Sequence, residues 1–314
     1  MAETLKPVRG PRDFLGGRLR VFSEDNVWLW LLPLAVLISF FYLYPVFEAV
    51  RFSFTDATTS SGDDYSYTLR SYVQTLTLPE FYAMVRTTVI FVGCSVIGQV
   101  LFGMLIATLV YEGEMRNLPG FGIVRALVLV GWVLPGVVLG IIWKLLLDES
   151  GASFMAIPFG MFGIRDPVFL SAPVPALAWV IIANIWRGTA FAMILQYSAM
   201  KTIPPEYHEA ATIDGASWFQ RFRLITLPSL RNILLINLIL ATISTLNTFD
   251  MIMPLTGGGP GRSTEVIALY IYNVVFQEFD FGRGAAVAVV LSLIGIVLTL
   301  VYFRILTNKQ DGFE

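Results

Sequence analysis

The sequence predicts an all-α integral membrane protein with six transmembrane helices. A composition too apolar for water, six long uninterrupted apolar runs and an uneven distribution of Lys and Arg point to it. Hydrophobic residues make up 56% of the 314, charged residues only 14%, and the mean hydropathy is +0.70. A soluble domain usually carries about 25% charged residues. A chain this apolar has too little polar surface to stay dispersed in water, and a bilayer is the solvent that fits. The net charge of −2 gives nucleic-acid binding no electrostatic support.

The apolar runs lie at 27–47, 87–110, 126–143, 172–200, 233–253 and 284–303. Each is long enough for a helix to cross the hydrocarbon core. They are continuous rather than alternating, which argues against a strand barrel. The run at 27–47 is too long for the apolar core of a signal peptide and reads as a helix that stays in the membrane. An even number of spans puts both termini on one side. Of the 21 basic residues, 13 fall on that terminal side, seven fall opposite, and Arg187 is inside the fourth run. The positive-inside rule therefore makes the termini and the loop between spans four and five cytoplasmic. The predicted organisation is a cytoplasmic tail at 1–26, a membrane domain at 27–305 with a structured loop at 201–231, and a cytoplasmic tail at 306–314. No internal repeat is evident.

The loop between spans four and five reads as two short helices. Pro205 suits a first helical turn, with Glu206 and Glu209 early, where the helix dipole favours acid. Gly215 can take the left-handed geometry that ends a helix. Ser217 and Gln220 form a capping-box pattern that starts the next one, and Pro228 is expected to end it before span five. Tyr207, Trp218, Phe219 and Phe222 are more apolar than a solvated loop needs, which suggests a docking element for another protein.

The order Glu209-Ala210-Ala211, three residues, Gly215, nine residues, Ile225, one residue, Leu227-Pro228 resembles the EAA loop of ABC importer permeases. Further matches narrow the resemblance: Trp30-Leu-Leu-Pro33, Tyr44-Pro45, Ser53-Phe54, Trp186-Arg187, Phe249-Asp250, Leu255-Thr-Gly-Gly-Gly-Pro260, Tyr270-Ile-Tyr272 and Phe281-Gly282 are similar to the first permease of the maltose, trehalose and glycerol-3-phosphate class. The resemblance implies a type I ABC importer permease fold in the bacterial inner membrane. It implies a second permease, ATP-binding cassette subunits that hold ATP and Mg, an external solute-binding protein and a sugar-like solute as partners, with lipid around the helices. It assigns ATPase coupling to Glu206, Glu209, Ala210, Ala211, Asp214, Gly215, Ile225, Leu227 and Pro228. On this reading Gly215→Asp should uncouple ATP turnover from uptake by adding bulk and charge at the joint. The chain itself is expected to bind no cofactor and to have no enzymatic activity.

An ionisable group inside a bilayer normally faces a cavity or a partner. Arg187 and Asp250 are the two such groups, and each reads either as an internal pair or as part of a polar cavity. Asn247 and Asp250 are three apart and would share one helix face with Ser244, with Thr245 beside it; Asn184, Gly188 and Phe191 would share another, near Trp186. Polar groups beside aromatic rings suit a sugar, so Asn247, Asp250, Asn184, Trp186, Arg187 and Phe191 are the candidate solute path. Gly136 and Gly140 read as a close helix contact and Pro135 as a kink. His208 reads as an exposed loop residue. One histidine and the lone Cys94 leave no recognisable metal site.

The stretch Gly257–Thr264 lacks the lysine of a phosphate-binding loop, so ATP must act through another subunit. No hydrolase motif is present. Three alternatives remain at this point: an ABC permease for an amino acid, peptide or ion, a secondary transporter, and a membrane-embedded lipid enzyme.

Overall fold

The computed structural model describes residues 27–61, 64–149, 154–163 and 167–307, so the predicted tail at 1–26 and residues 308–314 of the other lie outside it. Among the described residues the chain is helical, with isolated bridges but no strand. Among the described residues four helices are long and apolar enough to cross a membrane alone, and the number reaches six when each of two bent pairs is taken as one span.

The first span is α1 (Val27–Ile38), a π-helical turn (Ser39–Leu43) and α2 (Tyr44–Ser53). Residues 30–47 are all exposed, so this apolar surface is left to lipid or a partner. After the short α3 (Arg70–Thr77) comes α4 (Pro79–Met115), which packs most extensively on α8 (Pro173–Met200). The seam is close: a Cβ at Gly103 would lie 2.6 Å from Ala192 Cβ.

The third span is not one helix. It divides into α5 (Phe121–Val133) and α6 (Gly136–Leu146), 104° apart. Pro135 has no N–H and its ring crowds the preceding turn. Leu134 before it is extended, at ψ 133°. The expected kink is therefore a full break. Beyond it lies the short α7 (Ala156–Met161).

Past α8, the loop at the far end of that helix holds α9 (Pro205–Ile213), α10 (Trp218–Arg221), a π-helical turn (Phe222–Thr226) and α11 (Leu227–Ser229). The chain turns by 67° into α12 (Arg231–Leu246). The helical run that Pro228 was expected to end stops one residue beyond it, at Ser229, and the bend falls at Leu230. The fifth span also departs from expectation: α12 stops at Leu246 and residues 247–251 leave the helix before α13 (Ile252–Thr256). Pro254 could not donate to residue 250 in a continuous helix. The fold ends with α14 (Ile267–Phe276) and α15 (Phe281–Thr307), the sixth span.

The two breaks meet. A Cβ on Gly140 would lie 2.4 Å from the Met251 carbonyl and 2.5 Å from Pro254 Cγ, so the close contact expected of this glycine joins α6 to the break and α13. The main core lies around them, with Phe91, Leu139, Phe169, Met251, Ile252, Leu255 and Leu269 fully buried. A second core of Met104, Ala107, Val110, Met193, Tyr197, Met200 and Leu230 lies toward the 201–229 loop.

Glu149 fastens α6 to the start of α8. Its Oε1 accepts the Phe169, Leu170 and Ser171 amides at 2.7, 2.6 and 3.0 Å. Desolvation pushes this carboxyl up, but hydrogen bonds from Ser171 and the three amides outweigh it and hold it down at about 2. A carboxyl depressed below its ordinary 4.5 contributes its full stabilisation above that pH and loses it as the pH falls toward 2. Amide exchange at residues 169–171, corrected for intrinsic rates, should therefore accelerate between these pH values. Glu149→Gln should show the faster exchange already at pH 7; unchanged protection in the variant would contradict the assigned role.

Candidate functional site

Two features are built on this frame, a polar cavity among the spans and the helical loop at one end. The cavity has a volume of ≈ 300 Å³ and lies among α4, α5, α8 and α12. Asn184, Arg187, Gly188 and Phe191 supply the α8 wall, with Leu240, Ala241, Ser244, Thr245 and Thr248 opposite; Gln99 and Trp132 complete it. Gln99 is buried and donates from Nε2 to the Asn184 carbonyl at 3.2 Å and to Thr245 Oγ1 at 3.4 Å. Trp132 and Phe191 place their ring centroids 5.6 Å apart in a tilted pair, an apolar surface beside amides and hydroxyls. Asn184 Nδ2 is buried without a hydrogen-bond partner among the described residues. Buried polar groups are normally paired, so this donor is a place where an added acceptor would be favourable.

The structure brings together some of the sequence-derived path and disperses the rest. Asn184, Arg187 and Phe191 line the cavity. Arg187 Nη1 and Nη2 donate to the two oxygens of Asp250 at 3.0 and 3.1 Å, so Asp250 stands at its margin as the internal partner of the arginine. Asn247 does not join it. Because the helix ends at Leu246, the face shared by Asn247 and Asp250 does not exist. Asn247 instead lines a separate groove between α12 and α15 and donates to the Ile243 carbonyl at 2.8 Å. Trp186 turns toward Trp143, centroids 6.3 Å apart in an edge contact, and lies over Gly131. Gln99, Trp132 and Thr248 were not singled out from the sequence. Gln99 is the single amide in the apolar run 87–110, which was the available signal.

At the loop, local structure follows the sequence closely. Gly215 ends α9 at φ +79°, and Ser217 with Gln220 forms the capping box. Arg221 Nη1 donates to Thr212 Oγ1 at 2.9 Å and to the Ala216 carbonyl at 3.3 Å, locking the two helices together. Trp218 stacks on Phe222 and donates from Nε1 to Glu112 Oε1 at 3.1 Å, tying the loop to the end of α4. Nearby, Glu114 accepts from Tyr197 Oη and Lys201 Nζ, the latter at 2.9 Å, and pairs with Arg125 at 3.4 Å. The ends of α4, α5 and α8 thus share one carboxylate. Glu206, Glu209, Ala210, Asp214, Gly215, Leu227 and Pro228 are exposed, while Ala211 and Ile225 are half-buried. Ile213 is 88% exposed, an apolar tip on the loop. A Cβ on Gly215 would meet open space, so its left-handed backbone, rather than crowding, is what calls for glycine. His208 is half-buried rather than exposed, lining a ≈ 340 Å³ hollow with Tyr111, Glu112 and Arg221.

Residues 99–309 match the family described as the binding-protein-dependent transport system inner membrane component. The chain belongs to this family. It is therefore a multi-pass membrane permease, and it is similar to transport-system permeases over nearly its whole length. It is 33% identical to the trehalose/maltose transport system permease protein MalF of Thermococcus litoralis over 95% of this chain and 99% of that one. It is 32% identical to the sulfoquinovosyl glycerol transport system permease protein SmoG of Agrobacterium fabrum over 90% of both. A solved bacterial ABC transporter involved in import of the acidic polysaccharide alginate shares the fold, with a TM-score of 0.75 at 20% identity over 89% of this permease and 94% of that chain.

Gly188 can be tested directly, because a Cβ there would fall 2.1 Å from Gln99 Cδ. Gly188→Ala should evict Gln99 and destabilise the detergent-purified permease by about 1–3 kcal/mol. Its thermal unfolding midpoint should fall, and adding Gln99→Ala should recover part of the loss. Additive losses in the double variant would count against the contact.

Proposed function

We propose that this permease passes a sugar-like solute across the bacterial inner membrane, through the cavity lined by Gln99, Trp132, Asn184, Phe191, Ser244, Thr245 and Thr248, driven by an ATPase gripping residues 201–229. The observation that carries the reading is the combination of an exposed rigid loop with a polar, aromatic-walled cavity reached by the same helices. Sugar hydroxyls bond to amides and hydroxyls, and the apolar faces of the ring lie on aromatic rings. The trehalose/maltose and lactose permeases among its relatives support the solute class.

In this proposal both termini and the loop face the cytoplasm. A second permease closes the cavity from the other side, and ATP-binding cassette subunits hold ATP and Mg while this chain holds neither. The solved alginate transporter in complex with its pentasaccharide-bound periplasmic protein supports a solute-binding protein as a further partner. Glu206, Glu209, Ala210, Ala211, Asp214 and Gly215 form the docking helix and its end. Ile225, Leu227 and Pro228 carry its movement toward α12. ATP binding draws the docking helices together, the spans rock to open the cavity outward, and hydrolysis resets them.

Gly215 discriminates this role. Left-handed backbone costs a β-branched residue about 1–2 kcal/mol, whereas Asn adopts it readily. With the complete transporter in proteoliposomes, Gly215→Val should cut solute uptake per ATP hydrolysed several-fold, and Gly215→Asn should retain most of it. Full coupling in the valine variant would refute the assignment.

A further inference from the structure

The cavity wall carries one ionisable side chain, Arg187, among neutral amides, hydroxyls and aromatic rings. Its guanidinium is occupied: Nη1 and Nη2 each meet a different oxygen of Asp250, at 3.0 and 3.1 Å. The carboxylate comes from the break after α12, and room for it is made in the other broken span. A Cβ on Gly136 would lie 1.8 Å from Asp250 Oδ2 and 2.3 Å from its Cγ. Any side chain at 136 would push the carboxylate away. Arginine, aspartate and glycine from three different elements thus converge to neutralise one cavity-lining charge.

We propose that Asp250 is a specificity-determining residue: by holding Arg187 in a two-pronged pair it keeps this permease's wall of the solute cavity electrically neutral, so that wall selects an uncharged, hydroxyl-rich sugar or polyol over a phosphate, sulfonate or uronate. This rests on the reading that solute passes through this cavity. A guanidinium fork is the side chain best matched to carboxylate and phosphate. A free Arg187 would therefore select anions. Here an anionic solute must compete with a carboxylate already seated, and displacing it would leave Asp250 half-buried and unpaired. A neutral sugar meets no such contest. The guanidinium has five N–H donors, so those not given to Asp250 remain for hydroxyls, alongside Gln99, Asn184 and the threonines. The pair thus favours neutral oligosaccharides, disaccharides and polyols over a solute of the glycerol-3-phosphate type.

The test places a reporter thiol in the cavity of the complete transporter by Ser244→Cys on a Cys94→Ala background. Reaction rates with an anionic and a cationic methanethiosulfonate, each normalised to a free thiol, give a ratio that reads the local charge. With the pair intact the ratio should be close to one. Asp250→Asn should shift it toward the anionic reagent by about tenfold, Gly136→Ala in the same direction, and Arg187→Gln the opposite way. The double variant Arg187→Gln/Asp250→Asn should return it to the starting value. A ratio unmoved by all three single changes overturns the neutralisation, as does uptake of radiolabelled glycerol phosphate by the unaltered transporter. A thiol that reacts with neither reagent, or whose modification leaves uptake intact, overturns the cavity reading instead. The three single variants act independently, so failure of one to fold leaves the others decisive.

Discussion

Inside a bilayer a backbone amide or carbonyl has no water to turn to, so a transmembrane chain can leave the helix only where protein or a polar cavity receives the freed groups. This constraint organises the permease. Its third span opens by 104° at Pro135, and its fifth stops at Leu246. Each break alone would expose polar backbone to lipid. Placed together they cover one another: Met251 sits against Gly140, and Asp250 against Gly136. The Arg187–Asp250 pair closes the arrangement by tying the fifth-span break to the unbroken α8. The cavity then forms beside the breaks, with polar residues of α4, α8 and α12 on its wall.

The close approaches follow from the same geometry. Helices in lipid gain no hydrophobic drive from meeting, so contact depends on small residues that let backbones come near and on polar groups that bond across. Gly103 serves the first purpose against Ala192, and Gly188 combines both by leaving room for the Gln99 amide. Gln99 links α4 to α8 and α12 through Asn184 and Thr245, so the residue offering polar atoms to the cavity also holds its walls together. A change to the polar lining of this cavity therefore also alters helix packing.

Local signals survived the passage from sequence to structure, and signals that presumed an unbroken helix did not. The capping box at Ser217 and Gln220 and the left-handed Gly215 are set by residues a few positions apart, so the loop was legible in detail. Continuous apolar runs gave the span count for the same reason. Asn247 was placed in the solute path by extending a helical period past Leu246, where the chain leaves the helix. Arg187 and Asp250 could be singled out by cost, but only the fold shows that they meet. Trp132 was hidden because its aromatic partner, Phe191, is on another span. Pro135 gave warning of a bend while leaving its size to the packing of α6 on α13.

The link between loop and cavity needs no flexible relay. Phe191 lines the cavity on α8, and Tyr197, six residues further along the same helix, belongs to the Glu114 cluster at its end. At 1.5 Å per residue that is about 9 Å of continuous helix. The other route is similar, since Leu230 is packed in the core beneath the loop and opens α12, whose Ser244 and Thr245 line the opposite wall. Two stiff helices therefore run from one rigid, two-helix knob to facing sides of one cavity. A displacement of the knob along its surface would move the two walls by different amounts, because α8 continues straight while α12 starts after a 67° turn. In the proposed function, differential movement of opposed walls is what opening and closing the cavity requires, and the bend at Leu230 would supply it.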